Sequence, residues 1–211
     1  MASQHRTDDP HVARLLAAAH AGAIEPLGEL LQTYRNYLTI LATTQLDRRL
    51  HRRISPSDLV QETMLAAHRD FKKFGGHTEQ QFLAWLRSIL INSLHHAVDA
   101  HLKAKRRDIR CEVSINQAQA HLSRSSLKLE RILADPGPSP SAAAREHERA
   151  VVFANQLAKL SPAYREVIVL RNLQGLPFEE IAHRVNRKVG AVRMLWVRAI
   201  DKFKQVYDPL D

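Results

Sequence analysis

The sequence predicts an all-α protein: two small helical domains joined by a flexible linker. Three observations carry this. Apolar residues recur at three- and four-residue spacing through most of the 211-residue chain. Only seven glycines and 6% aromatics leave little for a turn-rich β-barrel or sandwich. The helical period is interrupted by DPGPSPSAAA, Asp135–Ala144, whose three prolines and one glycine break helix and strand alike. A chain of this length accommodates one or two domains.

The elements follow in order. Val12, Leu15, Leu16 and Ala19 make a first apolar stripe. After Gly22 and Pro26, the period continues through Leu27, Leu30, Leu31, Tyr34, Leu38 and Leu41. Ser55-Pro56-Ser57-Asp58 opens a helix expected over 56–71. Ser55 suits the cap, Pro56 the first helical position, and Asp58 the positive end of the helix dipole. Phe74-Gly75-Gly76-His77 is a break. Phe82, Trp85, Leu86, Ile89, Leu90 and Leu94 then mark a long helix over about 80–104. Ser125–Leu133 has the pattern of a short amphipathic helix. Beyond the linker, Ser161-Pro162 starts a helix through Val167, Ile168 and Leu170. Gln174–Pro177 is a turn, Phe178–Val185 a short helix, and Val189–Lys204 a longer one. Two helices joined by Asn186-Arg187-Lys188, the second long and basic, describe a helix-turn-helix. The expected domains are therefore 1–108 and 149–211, with 109–148 as linker.

Composition narrows the function. Hydrophobic residues at 45% and charged residues at 25% exclude wholesale disorder and fibrous repeats. The single cysteine, Cys111, excludes an intramolecular disulfide framework and a cysteine-rich zinc site. The N-terminus, MASQHRTDDPHV, has no signal-peptide core, and no apolar run approaches the roughly 18 residues of a membrane span. A cytoplasmic protein with no membrane insertion is the expectation. The net charge of +9 favours a polyanionic partner. That excess is carried by the two ends, with 15 basic against 11 acidic residues in 1–108 and 11 against 6 in 149–211, so both domains are candidates to meet it.

Three constellations stand out. Residues 184–204 hold seven basic side chains, Arg184, Arg187, Lys188, Arg193, Arg198, Lys202 and Lys204, against the single acid Asp201. On a helix-turn-helix these suit guanine edges and phosphates; on an isolated helix they would be a solvated face. His101–Arg110 carries Lys103, Lys105, Arg106 and Arg107. Cations also complement a helix C-terminus, but this many suit a phosphate backbone. Asp58 and Glu62, four apart, share a helix face beside Gln61. That face is either plain surface or a protein-docking surface. Nothing resembles an enzyme: there is no phosphate-binding glycine loop, no nucleophile elbow and no metal motif. His95 and His96, with Asp99 three or four residues on, could hold a metal only loosely, and without an HExxH motif or a cysteine pair neither a metal nor a cofactor is expected.

In order along the chain stand SDLVQETMLAAHRDFKKF, FLAWLRSILINSL, the basic run, a linker, and LSPAYREVIVLRNLQGLPFEEIAHRVNRKVGAVRMLWVRAIDKF. Together they resemble a bacterial RNA polymerase sigma factor of the extracytoplasmic-function group, over about residues 20–108 and 150–206. The resemblance implies that core RNA polymerase and promoter DNA are partners, and that an anti-sigma factor is among the partners the family allows. It implies that Asp58, Gln61 and Glu62 dock on the polymerase clamp. It implies that Phe74, His77 and Phe82 belong to a loop capturing an extruded base of the −10 element, with Asn92 lining the pocket. Single-stranded DNA would lie along Lys103, Lys105, Arg106 and Arg107. Arg184, Arg187, Lys188, Arg193 and Arg198 would read the −35 duplex. The recognition helix departs from the family in carrying Arg193-Met194-Leu195 where a polar, basic trio is typical. The competing expectation is a helix-turn-helix regulator that binds duplex DNA without polymerase.

Overall fold

The computed structural model describes residues 9–46, 54–103 and 142–206, and every regular element within them is helical. Helix α1 (Pro10–His20) is capped by Asp9, whose Oδ1 accepts from the His11 N–H at 2.8 Å. Gly22 turns the chain at φ +93, a conformation that favours glycine, and α2 (Ile24–Thr33) packs back on α1. The apolar period expected to run on from Leu27 to Leu41 is broken at Tyr34, and α3 (Arg35–Gln45) follows as a separate helix. Tyr34 is fully buried and donates its hydroxyl to Glu79 Oε1 at 2.8 Å.

Helix α4 (Pro56–Asp70) begins as its sequence dictates, with Ser55 Oγ accepting from the Ser57 N–H at 3.2 Å. Leu59, Val60, Thr63 and Ala67 face inward. It ends one residue before the expected boundary, in a 3-10 turn over Phe71–Lys73. Asp70 sits at the negative end of this helix, an unfavourable place for a carboxylate. Arg69 and Lys73 offset it, donating at 2.9 and 2.8 Å and holding its pKa down to about 2. Helix α5 (Glu79–Lys103) matches the long helix expected.

Helix α6 (Ala142–Ala158) opens inside the stretch 109–148 read as linker. Pro140 is the last proline before it, and three alanines follow Ser141, so nothing opposes helix from there on. The expected helix at Ser125–Leu133 lies outside the described residues. Arg165 closes the far end of α6, donating to the carbonyls of Leu157, Ala158 and Leu160 at 3.3, 2.6 and 3.2 Å. Helix α7 (Pro162–Ile168) runs into a π-helical turn over Val169–Leu173 instead of continuing regularly. Helices α8 (Phe178–Arg184) and α9 (Val189–Val206) complete the unit. Between them Asn186 takes φ +52 and the Arg187 N–H donates to Ala182 O at 2.9 Å. Asparagine is among the few side chains that enter this left-handed region readily.

The two halves touch through α3, which packs on α6 and the π turn. Asn36 Nδ2 donates to Asn155 Oδ1, and Gln174 Nε2 donates to Thr43 O, each at 2.9 Å. Thr43 lies in the last turn of α3, where carbonyls lack helical partners.

Two substitutions check this account. Asn186→Val should destabilise the protein by about 1–2 kcal/mol in urea denaturation, and Asn186→Gly should be close to neutral. A Cβ at Gly76 would lie 2.5 Å from Phe74 Cζ and 2.9 Å from Gln81 Cβ, whereas one at Gly75 would meet nothing within 4 Å. Gly76→Ala should therefore cost about 1–3 kcal/mol, with Gly75→Ala near wild type in the same measurement.

Candidate polymerase and nucleic-acid interfaces

Three surfaces gather the residues singled out from sequence. The first is the outer face of α4. Asp58, Gln61 and Glu62 are all exposed, while Leu59, Val60 and Thr63 bury the opposite side. Leu65 continues this face at the next helical position and is 66% exposed. Sequence reading passed over it, although its seven-residue offset from Asp58 was visible. An acidic rim beside a bare leucine is a protein-docking chemistry, since the apolar side chain gains most when covered.

The second surface is the loop between α4 and α5. Phe71, Phe74, Phe82 and Trp85 form one aromatic cluster, with centroids 4.9 Å apart for Phe74 and Trp85 and 5.6 Å for Phe74 and Phe82. Phe82 is completely buried in it, and its ring supports the loop from beneath. Phe74 is also buried. His77 is exposed at the loop's rim. Gln81 Oε1 accepts from the N–H groups of His77 and Thr78, and Thr78 Oγ1 accepts from the Gln81 N–H, a reciprocal cap for α5. Asn92 is exposed on the Trp85 face of α5, roughly 10 Å farther along the axis. His20 of α1 enters the cluster as well, a contact that no sequence pattern signalled. Lys105, Arg106 and Arg107 lie outside the described residues, and Lys103 closes the described part of α5.

The third surface is the helix-turn-helix. Arg187, Lys188, Arg193 and Arg198 are exposed, with Lys188 immediately before α9. Arg184 differs. Its guanidinium donates to Gln174 Oε1 at 3.0 Å and to Glu180 Oε1 at 3.2 Å, and its side chain is only 15% exposed. It ties α8 to the preceding turn. Arg193 reaches Glu179 at 3.4 Å and lies over the Phe178 ring, which Arg171 also covers. Trp196 packs edge-on against Phe178 and donates its indole N–H to Asn172 Oδ1 at 2.9 Å, a structural role. Met194 and Val197 are half exposed, at 54% and 51%, between the arginines. Basic side chains with apolar contacts between them match the mixed chemistry of a DNA major groove, whose walls carry phosphates and whose floor includes thymine methyls.

Among the described residues no three His, Cys, Asp or Glu side chains converge as metal ligands. No helix there is long and apolar enough to cross a membrane.

Residues 32–107 match Sigma-70 region 2, and residues 151–203 match Sigma-70, region 4. The ECF RNA polymerase sigma factor SigD of Mycobacterium tuberculosis (strain ATCC 25618 / H37Rv) is 30% identical over 191 residues, covering 90% of this chain and 81% of that protein. The ECF RNA polymerase sigma-E factor of Haemophilus influenzae is 28% identical over 183 residues, 86% of this chain and 87% of that one. A solved structure of CnrH in complex with the cytosolic domain of CnrY aligns at 24% identity over 95% of this chain and 99% of that chain, with a TM-score of 0.34. With regions 2 and 4 matched in order and a relative 30% identical over 81% of its length, this chain belongs to the ECF RNA polymerase sigma factors, which bind core RNA polymerase and direct promoter-specific transcription initiation.

Proposed function

We propose a division of this initiation work between the surfaces just described, acting in the cytoplasm. Residues 1–108 dock on polymerase and open the −10 element, residues 149–211 read the −35 duplex, and 109–148 joins them. Recognition is the chain's contribution, and bond-making stays with polymerase. The observation that carries this is the opposite chemistry of two exposed faces on one chain: acidic with Leu65 on α4, basic with Met194 and Val197 on α9. A protein that only bound duplex DNA would have no use for the first.

On this reading Asp58, Gln61, Glu62 and Leu65 meet a basic, partly apolar polymerase surface. The loop Phe74–Thr78 takes up a base extruded from the non-template strand. Extrusion costs a few kcal/mol of stacking, which selects promoters that melt easily. Exposed His77 and Asn92 supply polar edges for the base. Arg187, Lys188, Arg193 and Arg198 engage the duplex, the first two near the start of α9, where free backbone N–H groups also favour phosphate.

Run-off transcription of genomic fragments, with core polymerase and with or without this protein, tests the whole. Specific transcripts should appear only when the protein is present; duplex binding without polymerase and without transcripts would replace this reading by an ordinary regulator. Replacing Asp58 and Glu62 together with Lys should weaken core binding at least tenfold in a pull-down titration, with the thermal midpoint unchanged. Arg193→Ala should cost about 1–3 kcal/mol in promoter affinity, read as lost discrimination at one −35 position. Uniform weakening across all sequences would instead mark Arg193 as a phosphate contact.

A further inference from the structure

We propose that His20, the last residue of α1, is a positioning residue for the loop Phe74–Thr78, holding its backbone in shape before a base arrives. The inference deepens the reading of that loop as the −10 capture site and rests on it.

The loop has little shape of its own. Gly75 and Gly76 are adjacent, and glycine loses more backbone freedom on ordering than any other residue. Its two ends are held differently. At the start the Phe74 ring is buried against Phe82 and Trp85. At the finish Gln81 fixes the backbone N–H groups of His77 and Thr78. Between them Gly76 presses on the Phe74 ring and offers its carbonyl outward, and His20 Nε2 donates to that oxygen at 2.9 Å. The same imidazole lies 5.1 Å from the Phe71 ring, 5.9 Å from Phe74 and 5.1 Å from His77. One side chain from α1, more than fifty residues away in sequence, thus touches the loop at its carbonyl, its buried anchor and its exposed rim.

The hydrogen bond needs a proton on Nε2, which both the imidazolium and one neutral tautomer provide. Fixing Gly76 fixes where His77 stands. Ordering the loop in advance removes part of the entropy that capture would otherwise cost, and that gain appears as affinity for single-stranded DNA.

The test uses holoenzyme assembled from core polymerase and the full chain. A single-stranded DNA library with ten randomised positions is selected on it, and the winning oligonucleotide is labelled for anisotropy. His20→Ala should weaken its binding by about 3- to 10-fold, the range of one net hydrogen bond. His20→Gln, which keeps an amide donor, should recover part of the loss. His20→Phe, which keeps a ring and loses the donor, should bind as poorly as His20→Ala. Core affinity should stay at the wild-type value throughout. Equal loss of core affinity and oligonucleotide affinity would reduce His20 to a packing residue of α1 and overturn the proposal. So would wild-type binding by His20→Ala or His20→Phe while His77→Ala is impaired, in which case the capture reading of the loop survives alone. If the library yields no winner, or if neither His20→Ala nor His77→Ala changes binding, the loop does not capture a base and both readings fall.

Discussion

Helix α3 is buried along a broad face, and the placing of both domains depends on it. Tyr37, Leu38, Ile40, Leu41, Ala42 and Thr44 are all inside, which leaves only Arg35 plainly exposed. A helix whose buried face is this broad cannot rest on a single neighbour; it must be covered from several directions. Here α2, α4 and α5 cover one part, and α6 with the π turn covers another. The polar groups are dealt with locally. Arg87 donates to the Tyr37 hydroxyl at 3.0 Å, Thr44 Oγ1 donates back to Leu41 O, and Gln174 takes the Thr43 carbonyl. The direction in which α4 shows its acidic face follows from what its inner face must cover.

The loop before α5 depends on packing in another way. Periodicity ends at Phe71, yet four aromatic rings within about two turns of chain on either side converge there. Ring pairs of this kind contribute about 0.5–1.5 kcal/mol each beyond the area they bury. They are not additive, but together they offset the ordering of a two-glycine segment. The cluster separates two jobs. Phe74 and Phe82 face inward and set the shape; His77, which sits on that shape, faces water. A glycine-rich sequence is thereby given part of its geometry from beneath, to which the bonds from Gln81 and His20 add the rest.

Much of this was legible in the sequence, because amphipathic helices with good caps announce themselves. Ser55-Pro56 and the turn at Asn186 set their boundaries locally, so α4, α5, α8 and α9 fall where expected. The misses share a cause. The helix boundary falls at Tyr34, inside a continuous apolar period, and the buried partner of that side chain, Glu79, is 45 residues away. Phe82, which the family resemblance places in the −10 loop, packs among rings, and Arg184, one of the basic residues of the helix-turn-helix, pairs with Gln174 and Glu180; neither set of neighbours is visible in the sequence. Residue type says what a side chain can do, and only tertiary neighbours decide whether it is free to do it. Leu65, Met194 and Val197 show the converse, since an apolar residue off the core stripe is easily dismissed until its exposure is seen beside charged neighbours.

Arg193 stands between these cases, and magnitudes decide how it behaves. In the free protein it has two attachments: Glu179 at 3.4 Å, with side chains 60% and 65% exposed, and the face of Phe178 at 5.6 Å. An ion pair this exposed is worth about 0–1 kcal/mol, and a cation over a ring in water contributes about 0.5–1 kcal/mol. A bidentate contact to a guanine edge discriminates by about 1–3 kcal/mol. The attachments are thus weaker than a good base contact and comparable to a poor one. On the reading in which α9 enters the −35 groove, Arg193 leaves Glu179 where a guanine is in register and gains little by leaving it elsewhere. Arg198 is exposed and carries no such tether among the contacts described, so on the same reading it has nothing comparable to give up on meeting DNA. On that reading the two arginines, five residues apart on one helix, would differ in selectivity because of what each touches before DNA is present.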